Sequence, residues 1–351
     1  MFIILNQQAI NKGVYIMRGL QIPDGYTSLL DIRSTEVAIK QVKDFFERAL
    51  AKKLNLTRVS APLFVECSSG LNDTLNGVER PVSFDIKDGG YDVEIVHSLA
   101  KWKRFSLKRH GFSKGEGLYT DMNAIRRDED LDNIHSVLVD QWDWELIIDK
   151  SERNMATLKA TVEKIYEALL ETEEYISKEY SFIEKTLSDK IHFITTAELE
   201  DKYPALTPKQ REEAIVKEMG SVFIMQIGGK LKSGKPHDGR APDYDDWSLN
   251  GDIMVYNPVL DAPLELSSMG IRVDEDALIS QLDMAGCPER KELSFHKALL
   301  EGKLPYTIGG GIGQSRMCML FLRKAHIGEV QSTVWPKEMV KECEEKGVVL
   351  L

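Results

Sequence analysis

The densest chemistry in the sequence runs from Gly117 to Glu145, GLYTDMNAIRRDEDLDNIHSVLVDQWDWE. Arg126, Arg127, Asp128, Glu129 and Asp130 sit at its middle, and Asp140, Gln141, Asp143 and Glu145 alternate with Val137, Val139, Trp142 and Trp144 in its second half. Two strands joined by a charged loop are expected. A strand that intersperses carboxylates and a carboxamide with large apolar residues gives one face to a core and the other to a polar ligand. Arginine offers forked donors for phosphate or carboxylate, and carboxylates suit cations and ammonium groups. The hairpin is therefore the expected floor of an active site.

Two glycine-rich stretches invite a nucleotide reading. In GGKLKSGKP, from Gly228, Gly229, Gly234 and Lys235 fall in the register of a phosphate loop, but Pro236 stands where that loop needs a hydroxyl and a backbone N–H. A mobile basic loop is expected instead. In IGGGIGQSRMCMLFL, from Ile308, a strand passes through glycines into a helix beginning near Gln314. Arg316 replaces the third glycine of a dinucleotide fingerprint, which excludes a Rossmann site. What remains is a strand without Cβ atoms against which a flat ring could lie, with a guanidinium able to stack on it; tight strand–helix packing is the competing use of the glycines.

The elements that must position these residues follow from periodicity. Ser34 is expected to cap a helix to about Ala51, with Val37, Val42, Phe45, Phe46, Ala49 and Leu50 as its apolar stripe. The stretch from Leu54 to Phe64, with Pro62, reads as an edge or interface strand, and Ser68 to Asn76 as a small polar loop carrying Asp73. His97 to His110 reads as a helix whose Lys101, Lys103, Arg104, Lys108 and Arg109 form a mostly solvated basic face. A long scaffold helix is expected over Ser151 to Tyr180. Short strands are expected at Ile191–Ile194, Val222–Ile227, Ile253–Tyr256 and Leu264–Met269, among helices near Thr207–Glu218, Asp274–Met284 and Lys291–Leu300. Their short connections favour a largely antiparallel sheet.

Composition narrows the function class. A chain of 351 residues, 42% hydrophobic and without an internal linker, can bury a large core as one domain. A formal charge of -11 argues against broad attraction to nucleic acid. Cys67, Cys287, Cys318 and Cys343 show no CxxC spacing, which suits a reducing cytoplasm, and MFIIL is too short for a membrane span. The histidines lack metal-motif spacing, and His135 has no reading from sequence alone. Residues before about Asp24 look like a variable extension, with Met17 an alternative start.

The segment ending at Pro62, the hairpin from Arg126 to Asp143 and GGGIGQSR resemble, in order and spacing, the three motifs of class II aminoacyl-tRNA synthetase catalytic domains. RDED, QWD and the spacing of Ser98 to Lys103 are similar to the aspartyl and asparaginyl members. HSLAKWKR, GEGLYT, VDQWDWE, RAPDYDDWS, LNGDI, ELSSMGIRVD and TIGGGIGQSR resemble the ammonia-dependent asparagine synthetases, the aspartate–ammonia ligases, from about Asp31 to the C-terminus. The resemblance implies an α+β (mixed α/β) fold, with an antiparallel sheet flanked by helices. Residues 1–30 would form the variable extension and 31–351 a single catalytic domain.

The resemblance implies synthesis of L-asparagine from L-aspartate, ammonia and ATP through a β-aspartyl adenylate, with Mg2+, in a C2 homodimer that binds neither nucleic acid nor membrane. It implies Arg126, Glu129 and Arg316 for ATP, with Arg127 an alternative to Arg126 at the α-phosphate, and Asp252 with Glu265 for Mg2+. Lys103, Asp143, Asp245, Ser268 and Arg272 are implied for aspartate, and Asp73, Arg126 and Gln141 for catalysis, Asp73 and Gln141 beside ammonia. No cysteine is placed as a glutaminase nucleophile, which favours ammonia over glutamine. A tRNA synthetase and a noncatalytic sensing module of the same shape are the competing readings. The first would normally bring an anticodon-binding barrel for which the first 30 or so residues are too few; the second could have lost the ATP residues, yet Arg126, Arg316, Asp252 and Glu265 are all there.

Overall fold

The computed structural model describes residues 19–73, 75 and 79–351; the expected leader through residue 18, with Met17, and Asn76 of the polar loop lie outside them. Residues 19–30, expected to close a variable extension, are packed onto the body. Ile22 and Leu30 are buried in the main core, and the Gln21 N–H donates to Asn133 Oδ1 at 2.7 Å.

Helix α1 spans Ile32–Leu54. Its cap is Asp31, not Ser34: the carboxylate accepts the Ser34 N–H at 2.7 Å. Ala38, Val42, Phe46 and Leu50, four apart, form the buried stripe, so Val37 falls on the solvent side and is 53% exposed. The expected strand over Leu54–Phe64 is split. β1, Leu56–Arg58, runs parallel to the hairpin's first strand, and the last bond of that pairing goes from the Val59 N–H to the Tyr119 carbonyl. The pairing ends there, and the chain passes through Pro62, which has no N–H to donate, into a second sheet. That sheet contains β2 (Phe64–Glu66), β3 (Ser83–Asp85) and β4 (Asp92–Ile95), in the order β2-β4-β3.

Helix α2, Ala100–Arg109, corrects the expectation of a solvated basic face. Lys101, Lys103 and Arg104 are buried; Lys108 and Arg109 are exposed. The inward cations are tolerated because each meets oxygen: Arg104 donates to the carbonyls of Val273 at 3.0 Å and Pro305 at 2.7 Å.

The hairpin forms as expected from β5, Gly117–Ile125, and β6, Leu138–Ile147. Helix α3, Met155–Glu179, capped by Asn154, lies against α1 through a Phe45–Tyr175 stack at 4.6 Å. Then follow β7 (His192–Thr195), α4 (Thr196–Lys202), α5 (Pro208–Met219), β8 (Ser221–Met225), β9 (Asp245–Asn257) and β10 (Ala262–Arg272). After them come α6 (Glu275–Met284), α7 (Ser294–Leu300), β11 (Thr307–Gly313), α8 (Gln314–Phe321) and α9 (Lys337–Glu345). β9 begins well before the expected Ile253, because its polar first half, DDWSLNGD, carries little apolar signal.

The eight-stranded sheet has the order β1-β5-β6-β11-β10-β9-β8-β7. Only the end pairs, β1 with β5 and β7 with β8, are parallel among the described residues. The antiparallel reading therefore describes its centre. Alternation along β6 turns Trp142 and Trp144 into the core beneath α1, where Phe46 and Trp142 rings lie 4.9 Å apart. Gln141, Asp143 and Glu145 take the opposite face.

Candidate active site

Above the polar face of the central strands lies a cavity of about 360 Å³. Of the expected site residues, Arg126, Glu129, Gln141, Glu265, Ser268 and Arg316 line it. Asp73, Lys103, Asp143, Asp245, Asp252 and Arg272 are buried and do not appear in its lining.

The hairpin loop aims Arg126 rather than Arg127 at the cavity. The Arg126 N–H donates to the Val137 carbonyl at 2.9 Å and its own carbonyl accepts the Glu129 N–H at 3.2 Å, which closes the turn. Arg126 Nη1 lies 4.0 Å from Glu129, and its Nε is buried without a partner. A guanidinium held at one edge and free at another suits an incoming anion. Arg316, in the first turn of α8, donates through Nη1 to the Glu265 carbonyl at 3.1 Å and through Nε to the Ile134 carbonyl at 3.4 Å. It thereby ties β10 to the hairpin loop.

The candidate aspartate pocket is a buried ionic cluster. Lys103 Nζ contacts Asp143 and donates to the carbonyls of Trp144 at 2.9 Å and Gly310 at 3.2 Å, with Glu145 at 3.4 Å. Arg272 forks onto Glu145 at 3.0 and 2.8 Å and reaches Asp245 at 2.5 Å. Thr307 completes the Glu145 shell at 2.6 Å. Burial alone would raise the Glu145 carboxyl, but Arg272 and Lys103 hold it below the usual carboxylate range. At Asp245 burial prevails over Arg272, and its pKa is raised.

The glycines of β11 make this cluster possible. A Cβ on Gly309 would overlap the Glu145 carboxylate and the Arg272 guanidinium, and one on Gly311 would overlap the Gln141 carboxamide. At these two positions the space over the missing Cβ atoms is occupied by polar side chains of the flanking strands.

Asp252 and Ser268 face each other across β9 and β10, and a bulge follows Glu265. Asp252 contacts Arg240, while its Oδ1 is buried and unpartnered. Burial, opposed by Arg240 and helped by Glu265, raises the Asp252 carboxyl. No cluster of three or more potential metal-binding residues occurs among the described residues. Two carboxylates, one with a free buried oxygen, nevertheless suit a hard cation whose remaining ligands come from phosphates and water.

Asp73 does not line the cavity as Gln141 does. Its Oδ1 accepts the Leu75 N–H at 2.9 Å and its Oδ2 is buried and unpartnered. Burial raises its pKa against the pull of Lys101, with Asp243 adding to the rise. Behind it, Asp243 gathers Lys101 at 3.2 Å, His296 at 3.1 Å and Arg290 at 3.5 Å. In the sequence Arg240 and Asp243 had only their place in the string RAPDYDDWS, and Arg290 and His296 had no signal. His135 lines the cavity, its Nδ1 2.9 Å from Asp132. The GGKLKSGKP segment is a turn, closed by the Leu231 N–H to the Lys235 carbonyl at 2.9 Å, with Lys232 paired to Asp201 at 2.6 Å.

The family model described as aspartate–ammonia ligase matches residues 33–347. The aspartate–ammonia ligase of Clostridium perfringens is 66% identical over 336 residues, 95% of this chain and 100% of its own. That of Lactobacillus johnsonii is 60% identical over 334 residues, 95% of this chain and 99% of its own. Among solved structures, asparaginyl-tRNA synthetase from Pyrococcus horikoshii, complexed with asparaginyl-adenylate, superposes with a TM-score of 0.63 at 16% identity. It covers 87% of this chain and 71% of that one, and the likeness is one of fold.

Proposed function

The chain belongs to the aspartate–ammonia ligase family, which makes L-asparagine from L-aspartate and ammonia with ATP, and from that premise we propose how its residues divide the work. Support comes from one observation above all: Arg126, Glu129, Gln141, Glu265, Ser268 and Arg316, from four separate stretches of chain, converge on one cavity.

A carboxylate is a poor electrophile, so the aspartate side chain first attacks the α-phosphorus of ATP. Pyrophosphate leaves, and the β-aspartyl adenylate forms. Ammonia then attacks the activated carbonyl, giving asparagine and AMP. No covalent bond to the protein is needed; positioning and electrostatic stabilisation carry the reaction.

Arg126 holds the α-phosphate through its unpartnered Nε edge, and Arg316 and Glu129 bind the nucleotide around it. Mg2+, held by Asp252 and Glu265, would neutralise phosphate charge and polarise the phosphoryl oxygens. Lys103 and Arg272 receive the α-carboxylate of aspartate, and Asp143 and Asp245 its α-ammonium, with Ser268 adding a hydrogen bond. The cluster sets two cations against three carboxylates, so an entering zwitterion exchanges existing partners for its own groups without stranding a charge. That orientation presents the β-carboxylate to ATP. Gln141 and Asp73 serve the ammonia step: Asp73, whose buried carboxyl titrates high, accepts the proton that ammonium must lose.

Aspartate and ATP meet in the cytoplasm, where we place the enzyme. Among the described residues, no helix is long and apolar enough to cross a membrane. A C2 homodimer through α1 and the adjoining β1 edge is the proposed assembly, and sedimentation tests it. The deciding assay measures AMP and asparagine with ATP, aspartate and ammonium, beside glutamine and beside tRNA charging. Ammonium-dependent formation of both products is expected; absence of either, or a preference for glutamine or tRNA, overturns the reading.

A further inference from the structure

Arg240 stands in the cavity wall beside Gly239 and Ala241. Its guanidinium and the Asp252 carboxylate are both largely buried and touch through Nη2. The pairing is incomplete on both sides. Asp252 Oδ1 and Arg240 Nε are each buried without a hydrogen-bond partner. A closed structural pair would set two parallel N–H donors on two oxygens, as Arg272 does on Glu145. Here one acceptor and one donor are left over, next to a cavity wide enough for phosphate.

We propose that Arg240 is a resident counter-ion that competes with the divalent cation for Asp252 and passes to the phosphates of ATP when nucleotide and cation arrive together. The inference rests on the assignment of Asp252 and Glu265 to Mg2+. A guanidinium cannot shed its proton, so a buried one needs an anion in every state of the enzyme. Asp252 supplies it when the nucleotide is absent, and phosphate oxygens supply it when ATP is bound. A free cation therefore meets a carboxylate already neutralised, whereas a nucleotide-bound cation brings the anions that release Arg240. The result is entry of the metal as its ATP complex. Arg240 then joins Arg126 and Arg316 around the phosphates, which makes it a catalytic residue of the adenylation step.

The test uses the full-length protein and Mn2+ alone as probe, with free Mn2+ measured by electron paramagnetic resonance and ATP affinity measured by calorimetry in Mg2+. In R240Q, Mn2+ binding without nucleotide is expected to tighten by about tenfold, because a competing buried charge is gone. ATP affinity is expected to weaken in the same variant. R240K, which keeps the charge, is expected to stay close to the wild type in Mn2+ affinity, and equal melting temperatures certify the fold of both. If R240Q binds Mn2+ no more tightly while D252N weakens binding, the metal site stands and the counter-ion role falls. If R240Q tightens binding but adding D252N or E265Q leaves it as tight, the ion sits elsewhere and the carboxylate assignment itself falls.

Discussion

Replacing Glu145 with glutamine removes one negative charge from the centre of the ionic cluster while keeping its volume. The carboxylate is fully buried and contacts Arg272, Thr307 and Lys103. Removing one partner of a buried, hydrogen-bonded ion pair costs about 3–5 kcal/mol, because the other charge stays behind. For a chain of 351 residues the entropy of unfolding is about 0.7 kcal/mol per degree, so the melting temperature should fall by about 4–7 °C. Glutamine can still accept from Arg272 and Thr307, which puts the lower half of that range in view. The pH dependence has a definite sign. The folded Glu145 carboxyl titrates below its ordinary value of 4.5, so its stabilisation is fully present above that pH and disappears as pH falls through the folded value. The gap between wild type and E145Q should be widest at neutral pH and close in acid. Thermal unfolding followed by circular dichroism at several pH values measures it, and the KM for aspartate, expected to rise about tenfold or more, reports the loosened Arg272. A melting temperature within a degree of wild type at pH 7, with an unchanged KM, would refute the reading of Glu145 as the anchor of the cluster.

Asp73→Ala should suppress asparagine formation far more than aspartate-dependent pyrophosphate exchange; equal loss in both assays removes Asp73 from the ammonia step. Arg126→Ala should lower kcat by about 10²–10³, the scale set by losing one preorganised donor to developing charge, whereas Arg127→Ala should leave pyrophosphate exchange near the wild-type rate, and the reverse result would exchange their roles. Lys103→Met should raise the aspartate KM with little change in ATP affinity, since among the described residues the Lys103 ammonium bonds to the cluster and two carbonyls around it; unaltered aspartate kinetics count against the pocket. Gly311→Ala, whose new methyl group would overlap Gln141, should impair turnover while Gly286→Ala, with open space around its Cβ position, changes only local stability at its left-handed turn.

Legibility in the sequence followed physical type. The β5–β6 hairpin announced itself because a strand with a wet face must alternate, and β11–α8 because a run of glycines has few other uses than close approach. The β9 start and the split after β1 were hidden, since polar strand residues lack apolar signal and a proline inside an alternating run cannot say which sheet each half joins. The buried lysines of α2 were the larger surprise. Charge pattern predicts solvent exposure unless the partners are known, and the partners Asp143, Asp243 and Glu145 lie far away in sequence. Arg240 was unreadable for another reason: its meaning comes from Asp252, only 12 positions on, but the polar first half of β9 gives no sign of the fold that lays the two together.

The pairing of β6 with β11 carries a consequence for how the protein is made. Glu145 and Thr307, bonded across that seam, are 162 positions apart in the chain. While a ribosome is still producing the segment between them, β6 has its partner on one side only, and its neighbour on the other side does not yet exist. The nascent hairpin must wait with an open edge and with Glu145 still lacking Arg272 and Thr307, and such long-range closure is slow and exposed to misassociation. Arrival of β11 seals the edge and brings its glycines over Glu145 and Gln141 in one event. A truncated product of interrupted synthesis thus keeps the hairpin but lacks the strand that closes its open edge, so the sheet beneath the cavity is complete only when nearly all of the chain has emerged.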